Sequence, residues 1–117
     1  MKAIIELSRK GSIFRAVARQ VAGSRRGRAP DYRLGFESAR ALFAELTPAR
    51  LDLLDTLRRT GACSVKALAK AAERNYSNVH TDVSRLEELG LIERSEDGAV
   101  SVPFDAVEIR FPLAQVA

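Results

Sequence analysis

Between Asn75 and Gly90 the sequence spaces Val79, Val83 and Leu86 at helical intervals, and most of the residues between them are polar. At 100° per residue these three apolar side chains share one side of a helix. Ser77, Thr81 and Ser84 lie opposite, flanked by Asn78, His80 and Arg85. Hydroxyl and amide groups arranged this way suit a DNA groove. Asn pairs with adenine, Ser and Thr donate or accept on most base edges, and the positive end of a helix favours phosphate. The competing reading is that the same residues are ordinary solvent-facing side chains. Asn75 stands where this helix needs an N-cap. Tyr76 leans toward the apolar side, where it would pack with its hydroxyl free to reach a phosphate. Asp82 reads as a structural charge whose partner is a nearby arginine. Arg74 before the helix, Lys66 and Lys70 upstream and Arg94 downstream supply further cations.

Other chemistry has little to work with. One cysteine, Cys63, excludes an intramolecular disulfide and a multi-Cys zinc site, and His80 is the only histidine. The sequence contains no Gly-rich phosphate loop, no nucleophile elbow and no metal-ligand cluster, and its carboxylates are scattered along helix surfaces. The expectation is therefore a protein that is not an enzyme and takes no metal and no cofactor. Cys63 reads as a small hydrophobe in a short strand ahead of Ser64.

The elements that must position the polar face are legible in turn. Thr47-Pro48 starts a helix that runs to about Arg59 and buries Leu51, Leu54 and Leu57, or the neighbouring Leu53, before Thr60-Gly61 ends it. Ser64 caps a short helix, Val65 to Ala72, and Glu73-Arg74-Asn75 separates it from the helix of Tyr76 to Leu89. Asp97-Gly98 between two apolar alternations predicts a β-hairpin. Helix, short helix, turn, helix and hairpin is the order of a winged helix. A generic small helical domain with a terminal hairpin is the plainer reading.

The stretch from Leu46 to Asp105 resembles the winged helix-turn-helix transcriptional regulators of the MarR and ArsR-like type. It is similar in particular to a group of small prokaryotic regulators sharing the run NVH-x-DV-x-x-L-x-x-x-GLI, here Asn78 to Ile92. The resemblance spans about residues 36–113. It implies sequence-specific binding to double-stranded DNA. Because some members of such groups are encoded beside toxin-like proteins, it also implies an antitoxin role as an alternative.

Upstream, Lys2 to Leu7 is a short β-prone run. Ile13, Phe14, Val17 and Val21 predict an amphipathic helix capped by Ser12, and Gly23 to Pro30 reads as a basic loop carrying Arg25, Arg26 and Arg28. Tyr32, Leu34 and Phe36 alternate as a strand, and Ser38 caps a helix burying Leu42, Phe43 and Leu46. Val107, Ile109 and Phe111 form a late strand that would pair with Tyr32 to Phe36. The expected fold is thus mostly α with a small β component, a winged helix-turn-helix over residues 36–117 behind a strand-helix-loop extension over 1–35. The extension is read as building a homodimer interface, against the alternative that it covers the monomer's own core.

Residues 1–40 hold 10 basic and 3 acidic side chains (+7), and residues 41–117 hold 9 and 12 (−3). Either a polyanion partner or a solvated arm explains the basic third. The hairpin tip Ser95-Glu96-Asp97-Gly98 is acidic, so it either stands off DNA or serves a protein partner. No apolar run approaches the roughly 20 residues of a membrane span. Glu6 and Arg9-Lys10 interrupt the only signal-like start, which places the chain in the cytoplasm. Replacing Arg25, Arg26 and Arg28 by Gln is expected to weaken binding to every DNA sequence alike. The slope of log affinity against log salt should fall by about 0.9 for each phosphate contact removed, as read by titration at several ionic strengths.

Overall fold

The run Ala3-Ile4-Ile5 has no polar residue to turn toward water, and apolar runs of this kind occupy strands buried on both faces. A computed structural model of the chain describes residues 1–7, 14–17 and 30–113. In it Lys2–Leu7 forms β1, with Ala3, Ile4 and Ile5 all buried. Phe14–Val17 forms β2 and Tyr32–Phe36 forms β3. Helices α1 (Ala39–Glu45), α2 (Pro48–Thr60), α3 (Val65–Ala72) and α4 (Tyr76–Glu88) follow. The short strands β4 (Glu93–Arg94) and β5 (Val100–Ser101) come next, and β6 (Ala106–Arg110) is last.

The strands assemble into a four-stranded sheet ordered β2-β3-β1-β6 and a separate β4-β5 hairpin. β1 is parallel to both neighbours, with Ile5 opposite Leu34 on one side and Ile109 on the other, while β2 runs antiparallel to β3. The register places Ala3, Ile5, Tyr32, Leu34, Val107 and Ile109 on one face. On the other face the ion pairs Lys2–Glu108 and Arg33–Glu6, both 2.8 Å, lie across the strands. The Glu108 hydrogen bond holds the Lys2 ammonium above its ordinary pKa, and the same bond holds the Glu108 carboxyl below its own.

A mostly α chain is therefore not what this sequence makes. Three parallel strands and an antiparallel fourth correct the expected winged-helix class with its minor β component. The residues read as an amphipathic helix from Ile13 include β2. Phe and Val favour strands, and the pairing of Phe14 with Gly35 and Val17 with Tyr32 satisfies backbone groups along one edge of β3. The late strand pairs with β1, not with β3. Phe43, expected in the core, is 51% exposed, because α1 turns only Leu42 inward. Ser12, Ile13, Val21 and the arginines 25, 26 and 28 lie outside the described residues.

The chain divides into two units. One comprises Met1–Glu45 and Ala106–Ala117 and contains the four-stranded sheet. The other, Leu46–Asp105, contains α2 to α4 and the hairpin. Leu46–Asp105 is therefore inserted between β3 and β6, and β6 returns to the sheet that β1 began. Within Leu46–Asp105 the core includes Leu53, Leu57, Leu68, Val79, Val83, Leu86, Leu91 and Val100. No helix among the described residues is long and apolar enough to cross a membrane.

Ile5 is wholly buried at the centre of the sheet. Ile5→Ala is expected to cost about 2–5 kcal/mol, whereas Phe43→Ala should stay within about 0.5 kcal/mol. Urea unfolding followed by circular dichroism measures both.

Candidate nucleic-acid interface

The position of α4 starts from its cap. Asn75, extended at φ −63° and ψ 133°, accepts through its side chain from the Asn78 amide, so the helix begins at Tyr76. The preceding helix ends at Glu73, which adopts the left-handed conformation (φ 54°, ψ 47°), and the Arg74 amide closes onto the Ala69 carbonyl at 3.0 Å. A non-glycine residue in that conformation costs about 1–2 kcal/mol. The turn Glu73-Arg74-Asn75 is consequently held by its surroundings and not by local preference. Gly90, at φ 82°, ends the α4 segment with a backbone that side chains rarely adopt.

Asp82 provides much of that support. Its carboxylate accepts from Arg50 Nε of α2 at 2.9 Å and from Arg74 Nη2 of the turn at 2.7 Å, with 15% of the side chain exposed. Burial by itself would raise the carboxyl pKa. The hydrogen bonds from Arg74 and Arg50 outweigh it and hold the group below its ordinary 3.8. One carboxylate thus ties α2, the turn and α4 together. Sequence spacing identified Asp82 as a structural charge, but it did not show that the charge has two partners.

With α4 fixed, Val79, Val83 and Leu86 are fully buried, Ser77, Asn78, His80 and Thr81 are exposed, and Ser84 is half-buried. The Thr81 hydroxyl donates to the Ser77 carbonyl at 3.1 Å. Tyr76 is 52% exposed instead of packing inward, and its ring meets that of His80 one turn on, at 5.9 Å between centroids. The reason is angular: Tyr76 lies at the margin of the apolar stripe, and His80 offers it a ring on the outer side.

The basic residues divide into two groups. Lys66 and Lys70 on α3 are exposed and make no ion pair among the described residues. Arg74, read from sequence as a phosphate ligand, is held by Asp82, and its Nη1 is buried without a hydrogen-bond partner among the described residues. Arg85 pairs with Glu88 at 3.1 Å and Arg94 with Glu87 at 3.2 Å. A phosphate would have to compete for either.

The hairpin carries the opposite charge. Glu93, Glu96 and Asp97 are exposed, and the tip turns at Gly98, whose φ of 91° is the left-handed conformation that Asp-Gly signals. The Ser95 hydroxyl and the Ala99 amide hydrogen-bond to Asp97 and lower its pKa, keeping the tip anionic. The base of the hairpin is pinned to the helical part through Cys63, whose amide and carbonyl both bond to Val100.

Residues 45–109, more than half of the chain, match the family model described as HVO_A0114. No curated protein and no solved structure matches the chain significantly.

Asp82→Asn is expected to destabilise the protein by about 1.5–3 kcal/mol, since two cations would lose their shared anion. The folded-state pKa of Asp82 is lowered, so its stabilisation is complete above the ordinary carboxylate range near 3.8 and is lost as pH falls through the lower folded value. Urea midpoints measured against pH should therefore fall less steeply at the acid end in Asp82→Asn than in the wild type.

Proposed function

The chain belongs to the HVO_A0114 family, and we propose that it is a sequence-specific, double-stranded DNA-binding transcriptional regulator that acts as a homodimer in the cytoplasm and reads bases with α4. The observation carrying this reading is the first half of α4. There Ser77, Asn78, His80 and Thr81 stand exposed on a helix whose opposite side is buried without a gap. A helix anchored in this way presents hydrogen-bonding groups at fixed positions, which is what base discrimination requires. Lys66 and Lys70, on the helix preceding the turn, suit the phosphate backbone beside the groove. The similarity of Asn78 to Ile92 to regulators of the MarR and ArsR-like type supports the same reading.

A second reading has its own observation. The exposed, anionic hairpin tip repels phosphate and suits a basic protein surface, as in an antitoxin binding a toxin-like partner. One chain can carry both activities, on α4 and on the hairpin.

Mobility shifts with the DNA upstream of the chain's own gene, at low and physiological salt, test the first reading. Affinity no better than for random DNA overturns it. Ser77→Ala, Asn78→Ala and Thr81→Ala are each expected to reduce discrimination by about 1–3 kcal/mol with little change in thermal midpoint. Lys66→Gln should weaken all sequences equally and lower the salt slope by about 0.9. Pull-down with the neighbouring gene's product, comparing wild type with Glu96→Lys/Asp97→Lys, tests the second.

A further inference from the structure

β6 is an edge strand, since β1 occupies one side and no strand among the described residues occupies the other. Edge strands of monomers are usually blunted by charge or proline, because an open row of amides and carbonyls recruits other chains. Here the edge is instead partly apolar. Val107 and Ile109 fall on the face of the buried Ala3 and Ile5, yet Ile109 is 37% exposed, and Phe111 and Leu113 just beyond are 55% and 79% exposed. On the opposite face Glu108 and Arg110, two residues apart, carry opposite charges and pair with each other at 3.2 Å, and Glu108 also holds Lys2.

We propose that β6 pairs antiparallel with β6 of a second copy about a two-fold axis at Ile109, joining two four-stranded sheets into one. Charge selects this register. A two-fold perpendicular to the sheet keeps each face on its own side, so the axis passes through a residue and not between two. Centred on Ile109, Glu108 of each copy faces Arg110 of the other, and Val107 faces Phe111, so the Glu108–Arg110 pairs extend across the seam and the apolar row is completed. Centred on Glu108, two like charges stand opposite each other. Centred on Val107, Asp105 faces Ile109 and Phe111 gains no partner. Pro112, lacking an N–H, bounds the ladder beyond Phe111. A strand with Glu and Arg at alternate positions is complementary to its own reversed copy, whereas an edge carrying only lysines would repel it. The DNA reading requires two copies, and this surface rests on that reading only for its use.

Sedimentation equilibrium of the full chain without DNA tests the interface, so a failure here and a failure of DNA binding are separate results. The wild type is expected to dimerise. Glu108→Arg and Arg110→Glu, each alone, should weaken the dimer by roughly two orders of magnitude, since each turns both cross-strand pairs into like charges. Circular dichroism checks that each variant remains folded. Mixing the two variants should restore association, because one copy then supplies both cations and the other both anions, an effect that damage to the fold would not produce. If either charge variant fails to fold, Ile109→Lys, which sets two ammonium groups on the axis, is expected to give a folded monomer. A wild type that is monomeric at all concentrations, including one that instead takes up a strand from a different protein, overturns the proposal. So do charge variants that dimerise like the wild type, a mixture that fails to reassociate, or an Ile109→Lys chain that remains dimeric.

Discussion

A carboxylate held between two guanidinium groups ties the helical unit together, and the usefulness of α4 depends on it. Asp82 reaches Arg50 on one helix and Arg74 in the turn, at distances typical of charge-assisted hydrogen bonds. Val79, Val83 and Leu86 hold the helix down by non-directional burial, which tolerates small rotations and slides. The ion cluster is directional and resists both. It also explains how Glu73 is kept in a left-handed conformation, since Arg74 cannot reach Asp82 from a continuing helix. The outer residues of α4 have defined positions because an anion on its margin is engaged from two sides.

That arrangement also governs where positive charge is available. The arginines of this unit are largely committed, Arg50 and Arg74 to Asp82, Arg58 to the Val102 carbonyl, Arg59 to Asp55, Arg85 to Glu88 and Arg94 to Glu87. The exposed lysines of α3 are not. The planar guanidinium fork suits fixed geometry and the ammonium suits a loosely held phosphate, so the division follows the chemistry of the two side chains.

Local features of the sequence were reliable where local forces decide the outcome. Thr47, Ser64 and Asn75 each cap the helix they precede, and Asp97-Gly98 turns the hairpin, because each rests on bonds between residues a few positions apart. The buried side of α4 was equally legible from its spacing. What sequence could not disclose was decided at long range. Phe14 to Val17 fits a helix or a strand on pattern alone, and the edge of β3 settles it. The exposure of Tyr76 and Phe43 reflects positions at the margin of an apolar stripe, where a shift of a few tens of degrees changes the outcome. The Arg74–Asp82 bond was hidden because Asp82 lies eight residues on, inside α4, and the turn that aims Arg74 at it is set by tertiary contacts.

The pairing of Lys2 with Ala106 has a consequence for synthesis. β1, an internal strand of the sheet, leaves the ribosome ahead of the whole of Leu46–Asp105, and its neighbour β6 follows only after that unit has been translated. During that interval Ala3, Ile4 and Ile5 have no partner on one side, and the nascent chain carries an apolar strand with an open flank. Ordering of the inserted unit shortens the tether that must close but does not protect the strand. Translation rate and chaperone access at β1 should therefore govern the yield of folded protein more than the stability of the finished helical unit.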